Sequence, residues 1–330
     1  MKIAVVILNW NGRALLEKFL PSVVNFSKEA TVYVADNAST DDSILLITSL
    51  FPSVKIIQNT VNGGYAKGYN DALKHLNEDI LILLNSDVEV TEHWLTPILT
   101  CFKSNPNVAA VQPKILDYKN KSYFEYAGAA GGYIDALGYP YCRGRIFNSL
   151  EKDHGQYNDT KDIFWASGAC LAIKNDVFHE VGALDEDFFA HQEEIDLCWR
   201  IKNAGYNIVY TGQSTVYHVG GATLNSMNPK KTFFNFRNTL FALIKNVAGP
   251  KVYGFILIRL ILDGIAGFKF LVEKKPKHFI AILKAHGSFY AQLPRFLKKR
   301  KALKSSIKYH QINSVVYKHF ILKIQSFKEL

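Results

Sequence analysis

Only four cysteines occur in 330 residues, Cys101, Cys142, Cys170 and Cys198, and no two stand in a CxxC or other zinc-like spacing. A disulfide framework and a zinc module are both excluded as the basis of the fold, and the thiols read as reduced cysteines of a cytosolic protein. Phosphate-binding signatures are missing too. The first apolar segment is followed by a single glycine, Gly12, so no GxGxxG fingerprint opens the chain, and no glycine is followed by KS or KT. Internal repeats and low-complexity linkers are also absent. The N-terminal run Met1 to Leu8 stops at Asn9-Trp10-Asn11-Gly12, too soon for a signal-peptide core, and reads as a first buried strand.

Acidic residues are scarce in one region only. Residues 233–330 contain Asp263, Glu273 and Glu329 against 19 Lys and Arg, whereas residues 1–232 hold 26 acids and 20 bases. The overall charge of +10 therefore belongs to the C-terminal region and marks a boundary near residue 232. Within that region 252–272 is apolar and, at about 20 residues, long enough to span a bilayer. It carries Arg259, Asp263 and Lys269, however, and central charges cost about 2.5–3.5 kcal/mol each on insertion. At about 100° per residue the three fall within a third of the helix circumference, which predicts a helix lying in a membrane interface. The basic run Arg295, Lys298, Lys299, Arg300, Lys301, Lys304 and Lys308 would then face anionic lipid, at about 1 kcal/mol per residue. Two plainer readings remain: a packed core helix with a solvated basic face, and a tail that binds nucleic-acid phosphates. No nucleic-acid partner is expected, because the basic residues flank apolar stretches instead of filling a polar arm.

With 48% hydrophobic and 21% charged residues, the rest of the chain has the composition of a globular protein with a sizeable core. Its first hundred residues alternate strand and helix signals: strands at 2–8, 31–35, 54–58 and 80–84, helices at 13–25, 43–51 and 68–76. Repeated units of this kind predict an α/β domain with a mostly parallel central sheet and helices on both faces. From 100 to 160 the pattern loosens into loops and irregular strands. It returns as a strand at 167–173 and a helix at 175–181.

Acidic clusters about a hundred residues apart carry the chemistry. Leu83-Leu84-Asn85-Ser86-Asp87 ends a buried strand and delivers a carboxylate to the edge where open α/β sheets bind ligands. Asp87 there suits one ligand position on Mg²⁺ or Mn²⁺ bridging a diphosphate, since hard cations take oxygen ligands and keep several waters. His218 is a candidate to complete the metal shell or bind the diphosphate, although a lone histidine after an apolar stretch is commonly structural. Glu193, Glu194 and Asp196 crowd negative charge, which raises a carboxyl pKa and suits a general base. The same cluster also serves as an acidic helix start, and Asp196 with Arg200 as a structural pair. Asp36, in Asp36-Asn37-Ala38-Ser39-Thr40-Asp41, can accept from the N3–H of uracil or thymine, or simply close an Asx turn. Asn62-Gly63-Gly64-Tyr65-Ala66-Lys67-Gly68-Tyr69-Asn70 lets backbone approach an anionic group ahead of a helix. Trp165 offers an aromatic face for a sugar ring.

Taken in order, these stretches resemble the family 2 inverting glycosyltransferases of GT-A fold, in particular rhamnosyltransferase-like bacterial members. Leu8-Asn9-Trp10-Asn11-Gly12, Ala35-Asp36-Asn37, Asn62-Gly63-Gly64, Leu84-Asn85-Ser86-Asp87, Ser167-Gly168-Ala169, Asp185-Glu186-Asp187 and Tyr217-His218-Val219-Gly220-Gly221 carry the resemblance over 3–221. It implies a metal-dependent transferase at 1–232 that moves a sugar from a UDP or dTDP donor to an acceptor hydroxyl. Asp36 would contact the base, Asp87 the metal and His218 the metal or diphosphate. Asn9, Asn11, Asn62, Gly64, Lys67, Asn70, Asn85 and Trp165 would line the donor. Two departures stand out: Asn85 replaces the first Asp of a strict DxD, and Glu193-Glu194 replaces a Glu-Asp base motif. Glu194 is the favoured base, with Glu193 and Asp196 as rivals. The basic region at 233–330 points to a lipid-linked glycan acceptor in cell-surface polysaccharide or lipopolysaccharide assembly, on the inner face of the cytoplasmic membrane. A catalytically inactive glycan- or nucleotide-binding protein, and a nucleotidyltransferase on a similar sheet, are the competing expectations.

Overall fold

The structure, a computed structural model, describes residues 1–220, 228–301 and 307–330. The chain opens with β1 (Ile3–Asn9), α1 (Arg13–Phe26), β2 (Thr31–Asp36), α2 (Ser43–Leu50), β3 (Lys55–Gln58), α3 (Gly64–Leu73) and β4 (Ile80–Asn85). That is the alternation the hydrophobic pattern predicts, except that α3 begins four residues earlier, on the glycine loop itself. The four strands pair in parallel in the order β4-β1-β2-β3.

Next come β5 (Val88–Val90), α4 (Leu95–Ser104) and β6 (Val108–Asp117). Four short strands, β7 (Gly132–Ile134), β8 (Pro140–Cys142), β9 (Arg145–Ile146) and β10 (Ser149–Leu150), form a separate antiparallel sheet. They are followed by β11 (Thr160–Asp162), β12 (Cys170–Lys174), α5 (Asn175–Glu180), α6 (Glu193–Asn203) and β13 (Asn207–His218). The main sheet runs β11-β13-β6-β12-β4-β1-β2-β3, with β5 paired on β13. Because β12 is antiparallel to both β4 and β6, only the β4-to-β3 half and the β6–β13 pair are parallel, and the sheet as a whole is mixed. β6, at ten residues, is more regular than the loops and irregular strands expected for this stretch. Its interior holds Gln112 and Lys114, whose polarity hides the strand pattern. Both are buried, the Gln112 amide donating to the Gly128 carbonyl and Lys114 paired with Asp153 at 2.8 Å.

Alternation along each inner strand divides the core. Ala4, Val6, Leu81 and Leu83 point into one apolar cluster, Ile3, Val5, Ile7, Ile80, Ile82 and Leu84 into another. Burial on both faces explains why β1 and β4 read as continuous apolar runs. Strand register then sets the site: Asn9 on β1 pairs beside Asp36 on β2, and Leu8 beside Asn85 on β4. Three polar side chains thus gather at one C-terminal edge.

Three helices follow: α7 (Pro229–Asn246), α8 (Lys251–Val272) and α9 (Pro276–Arg300). The Asn228 side chain caps α7 by accepting from the Lys230 amide, and Pro229 stands in its first turn. Phe241 of α7 stacks on Phe296 of α9 with ring centroids 3.8 Å apart, inside the same cluster as Ala4 and Val6. The core therefore crosses residue 232, where the charge changes.

Two expectations for this region are corrected. Arg259 and Asp263, expected at a membrane surface, face the protein. They pair at 2.8 Å, His286 reaches Asp263 at 3.2 Å, and the guanidinium lies 3.6 Å above the Tyr139 ring. Of that stripe only Lys269 is exposed. Part of the basic run is also taken up by the protein: Lys299 pairs with Asp185 and Asp187, Arg300 donates to backbone carbonyls of Ile244 and Gly249, and Arg295, though exposed, pairs with Asp187 at 2.7 Å. Acidic partners near Asp185 compete successfully for these cations. Lys304 lies outside the described residues. Among those residues no helix is long and apolar enough to cross a membrane.

Candidate active site

At the strand edge the Asn9 amide donates to Asp36 Oδ1 at 3.1 Å and to Ser39 Oγ at 3.2 Å, while the Ser39 amide donates to Asp36 Oδ2 at 3.0 Å. Asp36 is thus fixed and buried, and each carboxylate oxygen keeps a free lone pair. Asn11, at φ 49°, accepts the Thr40 amide at 2.7 Å and closes the loop from the other side. An asparagine chain then ties in the glycine loop: Asn59 donates to Asn37 Oδ1 at 3.2 Å, and Asn37 to Asn62 Oδ1 at 2.9 Å. Gly64, at φ 79°, has the Phe189 carbonyl 2.7 Å from where a Cβ would stand, so only glycine fits there. Lys67 is exposed and held by Asp71 at 2.9 Å. Asn70 serves the fold: its side chain exchanges hydrogen bonds with Leu184, donating at 2.8 Å and accepting at 3.1 Å.

Pairing of β5 with β13 sets His218 opposite Val88 and brings it to Asp87. His218 Nε2 is 3.1 Å from Asp87 Oδ1 and 3.3 Å from the Asn85 amide, and Nδ1 is 3.3 Å from Glu125 Oε2. Burial alone would depress this imidazole, but its two carboxylate contacts outweigh that and raise the pKa to about 10. The carboxylates thus favour a proton on the ring, which a cation ligated by Nε2 would displace. Among the described residues no three His, Cys, Asp or Glu side chains converge on one point, because Asp87 and Glu125 address opposite edges of the ring. Asp87 and His218 nevertheless fit a divalent cation. Two ligands about 2.1 Å from one ion, at a right angle, lie about 3.0 Å apart. Substrate phosphates and water would supply the remaining positions. Glu125, whose Oε2 approaches Nδ1, would then take the place of the carboxylate that orients a ligating histidine. Nothing in the sequence around Glu125 signals this.

The second half of the site begins at α6. Glu193 is buried and Glu194 half-buried, and each has one carboxylate oxygen, Oε2, with no hydrogen-bond partner. Burial and the neighbouring Glu194 push Glu193 well above the ordinary carboxyl range. Burial raises Glu194 to about 7, less far because backbone amides at the helix start pull it back. Of the pair, Glu194 is the one that ionises near neutrality. A Cβ on Gly168 would stand 3.8 Å from Glu194 Cβ, and the next residue, Ala169, accepts the Asn85 amide at 3.0 Å. The Ser167–Ala169 turn therefore separates the glutamates from Asn85 and Asp87. Tyr65 closes this side, donating its hydroxyl to the Gly168 carbonyl at 2.8 Å.

Phe189, His191 and Gln192, just before the glutamates, all have positive φ, at 63°, 70° and 72°. Left-handed backbone costs roughly 1–2 kcal/mol per such residue, so something must hold it. The side-chain amide of Asn238 on α7 donates to the carbonyls of Phe188, Ala190 and His191 at 3.0, 3.0 and 2.7 Å. Arg237 adds bonds to the Asp187 and Phe188 carbonyls, both at 3.1 Å, and donates Nε to Asn238 at 2.9 Å. Neither residue stands out in the sequence, where an Arg-Asn step in an amphipathic helix reads as part of its polar face.

The structure moves two candidate residues out of the cleft. Asp196 is fully buried, with Arg200 and Lys245 on Oδ2 at 2.9 and 2.8 Å and the Asn246 amide on Oδ1 at 2.8 Å. These cations lower its pKa against the pull of burial, so it is an anchored counter-ion with no lone pair turned to the cleft. Trp165 is in the core, its indole donating to the Tyr133 carbonyl at 2.9 Å and its ring filling the space a side chain at Gly132 would need. It has no face open to a sugar.

The sequence profile described as "Glycosyl transferase family 2" matches residues 4–182. An N-acetylglucosaminyl-diphospho-decaprenol L-rhamnosyltransferase of Mycobacterium tuberculosis (strain ATCC 25618 / H37Rv) is 25% identical over 229 residues, covering 65% of this chain and 75% of the relative. S. aureus TarS 1-349 in complex with UDP-GlcNAc superposes with a TM-score of 0.57 at 15% identity, covering 91% of this chain and 84% of that one. The mannosyltransferase PcManGT from Pyrobaculum calidifontis, in complex with GDP-Man and Mn²⁺, gives 0.53 at 14% identity, covering 92% and 84%. At such identities the two structures speak for the fold alone, which is GT-A. With more than half of its length matched by the profile, the chain belongs to glycosyl transferase family 2 and is a glycosyltransferase.

Proposed function

We propose that this enzyme transfers a sugar from a UDP- or dTDP-activated donor to an acceptor hydroxyl in one inverting displacement, with Glu194 as the base. The observation that carries this reading is the division of the site by the Ser167–Ala169 turn. On one side stands the Asp87–His218 pair at cation-ligand spacing, on the other a half-buried carboxylate with an unpartnered oxygen. Bound Mg²⁺ or Mn²⁺, held by Asp87 and His218, would neutralise the charge that develops on the departing nucleoside diphosphate. Glu194 Oε2 accepts the proton of the acceptor hydroxyl as the hydroxyl oxygen bonds to the anomeric carbon and the sugar–phosphate bond breaks. Asp36 receives the N3–H of the pyrimidine, and Asn9 and Asn11 keep its loop in place. We assign Asp196, Trp165 and Asn70 to the fold. The similarity to a decaprenol-linked rhamnosyltransferase supports a rhamnose-like donor and a lipid-linked glycan acceptor in cell-surface polysaccharide or lipopolysaccharide assembly. The basic C-terminal region supports a peripheral position on the inner face of the cytoplasmic membrane.

The test is release of UDP or dTDP from a panel of nucleotide sugars, with and without Mn²⁺ or Mg²⁺, beside Asp87→Ala and Glu194→Ala. Release with one donor that needs metal and disappears in both variants is the expected result. Tight donor binding without turnover, in the presence of acceptor glycans, would instead identify an inactive glycan- or nucleotide-binding protein. Pyrophosphate release from a nucleoside triphosphate would identify a nucleotidyltransferase.

A further inference from the structure

The amphipathic pattern of α8 is inverted with respect to the protein. Its charged stripe, Arg259 and Asp263, is turned inward with Val252, Ile256 and Gly267. Its outward stripe is Tyr253, Leu257, Ile261, Ile265, Phe268 and Val272, each between 55% and 68% exposed. These follow one another at intervals of three and four, so they form a single row, about 28 Å long at 1.5 Å rise per residue. Gly254 and Gly264 beside the row have nothing within 4 Å of a Cβ position, so no side chain shelters it. Exposed Ile280 and Leu283 continue the apolar face on α9. Lys269 Nζ, 5.6 Å from the Phe320 ring, brings in the exposed apolar turn at 317–322 as well. Soluble surfaces scatter such residues singly, and a contiguous face of this extent marks a contact.

We propose that this outward face of α8 and α9 is the surface by which the protein seats itself, monotopically, in an anionic lipid bilayer. The proposal rests on the membrane reading above for its setting, and it moves the contact from the basic run to a different surface. Two features select lipid as the occupant of a row that lies along one face of one helix. Its rim is basic: Lys251, Lys269, Lys274, Lys277 and Lys284 are exposed around it, and the one acid near the turn, Glu273, is already paired with Lys269 and Lys275. A second copy of this chain would bring the same cationic rim against its own, whereas anionic headgroups complement it. The Arg259–Asp263–His286 cluster, closed by Tyr139, fixes the rotation of α8 so that the apolar row points away from the active-site domain.

The experiment is co-sedimentation of the full chain with phosphatidylcholine vesicles containing phosphatidylglycerol, in the absence of donor and acceptor. It therefore reads the surface whether or not the transferase reading stands. Wild type is expected to pellet with these vesicles, and the double variant Ile261→Glu/Ile265→Glu to lose about tenfold or more in partitioning. Both residues are exposed, so the melting temperature should be unchanged. A second variant, Ile265→Trp, should show a blue-shifted emission on vesicle addition as the indole leaves water. Failure of wild type to bind, equal binding by the double variant, or an unshifted Ile265→Trp emission would each overturn the proposal. So would a wild-type dimer that Ile261→Glu/Ile265→Glu converts to monomer without any vesicle binding, which would make the face a self-association surface.

Discussion

Replacing Glu194 by glutamine separates the roles of two adjacent carboxyls, the favoured base and its nearest rival. Raising a glutamic acid from 4.5 to about 7 by burial means that ionising it in place is disfavoured by about 3 kcal/mol. Two consequences follow from that one figure. The rate of metal-dependent nucleotide release should climb with pH along a limb centred near 7, because only ionised Glu194 takes a proton. Stability should move the opposite way. The folded protein keeps this proton until about pH 7 and the unfolded chain loses it near 4.5, so folding free energy falls across that interval by up to about 3 kcal/mol. Glu194→Gln removes both effects: kcat should drop about 10²–10⁴-fold, and the variant should melt above wild type at pH 8 but level with it at pH 5. Glu193 is held neutral by burial and its neighbour, so Glu193→Gln should change kcat less than about tenfold. Steady-state rates from pH 5.5 to 8.5 and melting curves at the two pH extremes read all of this. A Glu193→Gln variant that loses the rate, beside a Glu194→Gln variant that keeps it, would refute the assignment. A flat pH profile would refute the argument from burial.

Two further predictions concern residues that touch no substrate. Asn238→Ala strands three carbonyls of the loop before Glu193, so kcat should fall about 10²-fold with donor KM little changed, as expected for a displaced base. The ascending pH limb should also move below 7 as water reaches Glu194; a lowered melting temperature with kcat and the limb both unchanged would make the amide a structural residue only. Glu125→Gln weakens the orientation of His218, and Mn²⁺ affinity measured by electron paramagnetic resonance on donor-free protein should fall about 10–100-fold. Unchanged affinity would remove Glu125 from the metal site.

How much of this was legible in the sequence depended on the range of the interaction that sets each feature. The parallel half of the sheet was readable because β1, β2 and β4 are short apolar runs, buried on both faces, that end in polar residues. For the same reason Asp36 and Asp87 stood out at strand ends. β6 stayed hidden because Gln112 and Lys114 are satisfied by residues far along the chain, which no window on the sequence reveals. Glu125 and Asn238 were invisible in the same way, since their roles exist only through contacts 93 and about 50 residues distant. For α8 the periodicity was correct, but a stripe has no direction until its partners are known. Tyr139 and His286 turn the charges inward, so Arg259 and Asp263 face the protein and not a membrane surface. Asp196 was drawn into the base cluster by proximity in sequence, and Lys245 on α7 claims it instead.

The account rests most on one displacement at the anomeric carbon by a single base. Once the donor is known, the measurement to make is the anomeric configuration of the glycosidic bond formed, read from the proton NMR spectrum of the isolated product. Inversion of the donor's configuration, in a reaction that needs Asp87 and Glu194, is the predicted result. Retention would require a covalent or front-face route for which Glu194 is not placed as described, and would contradict the account.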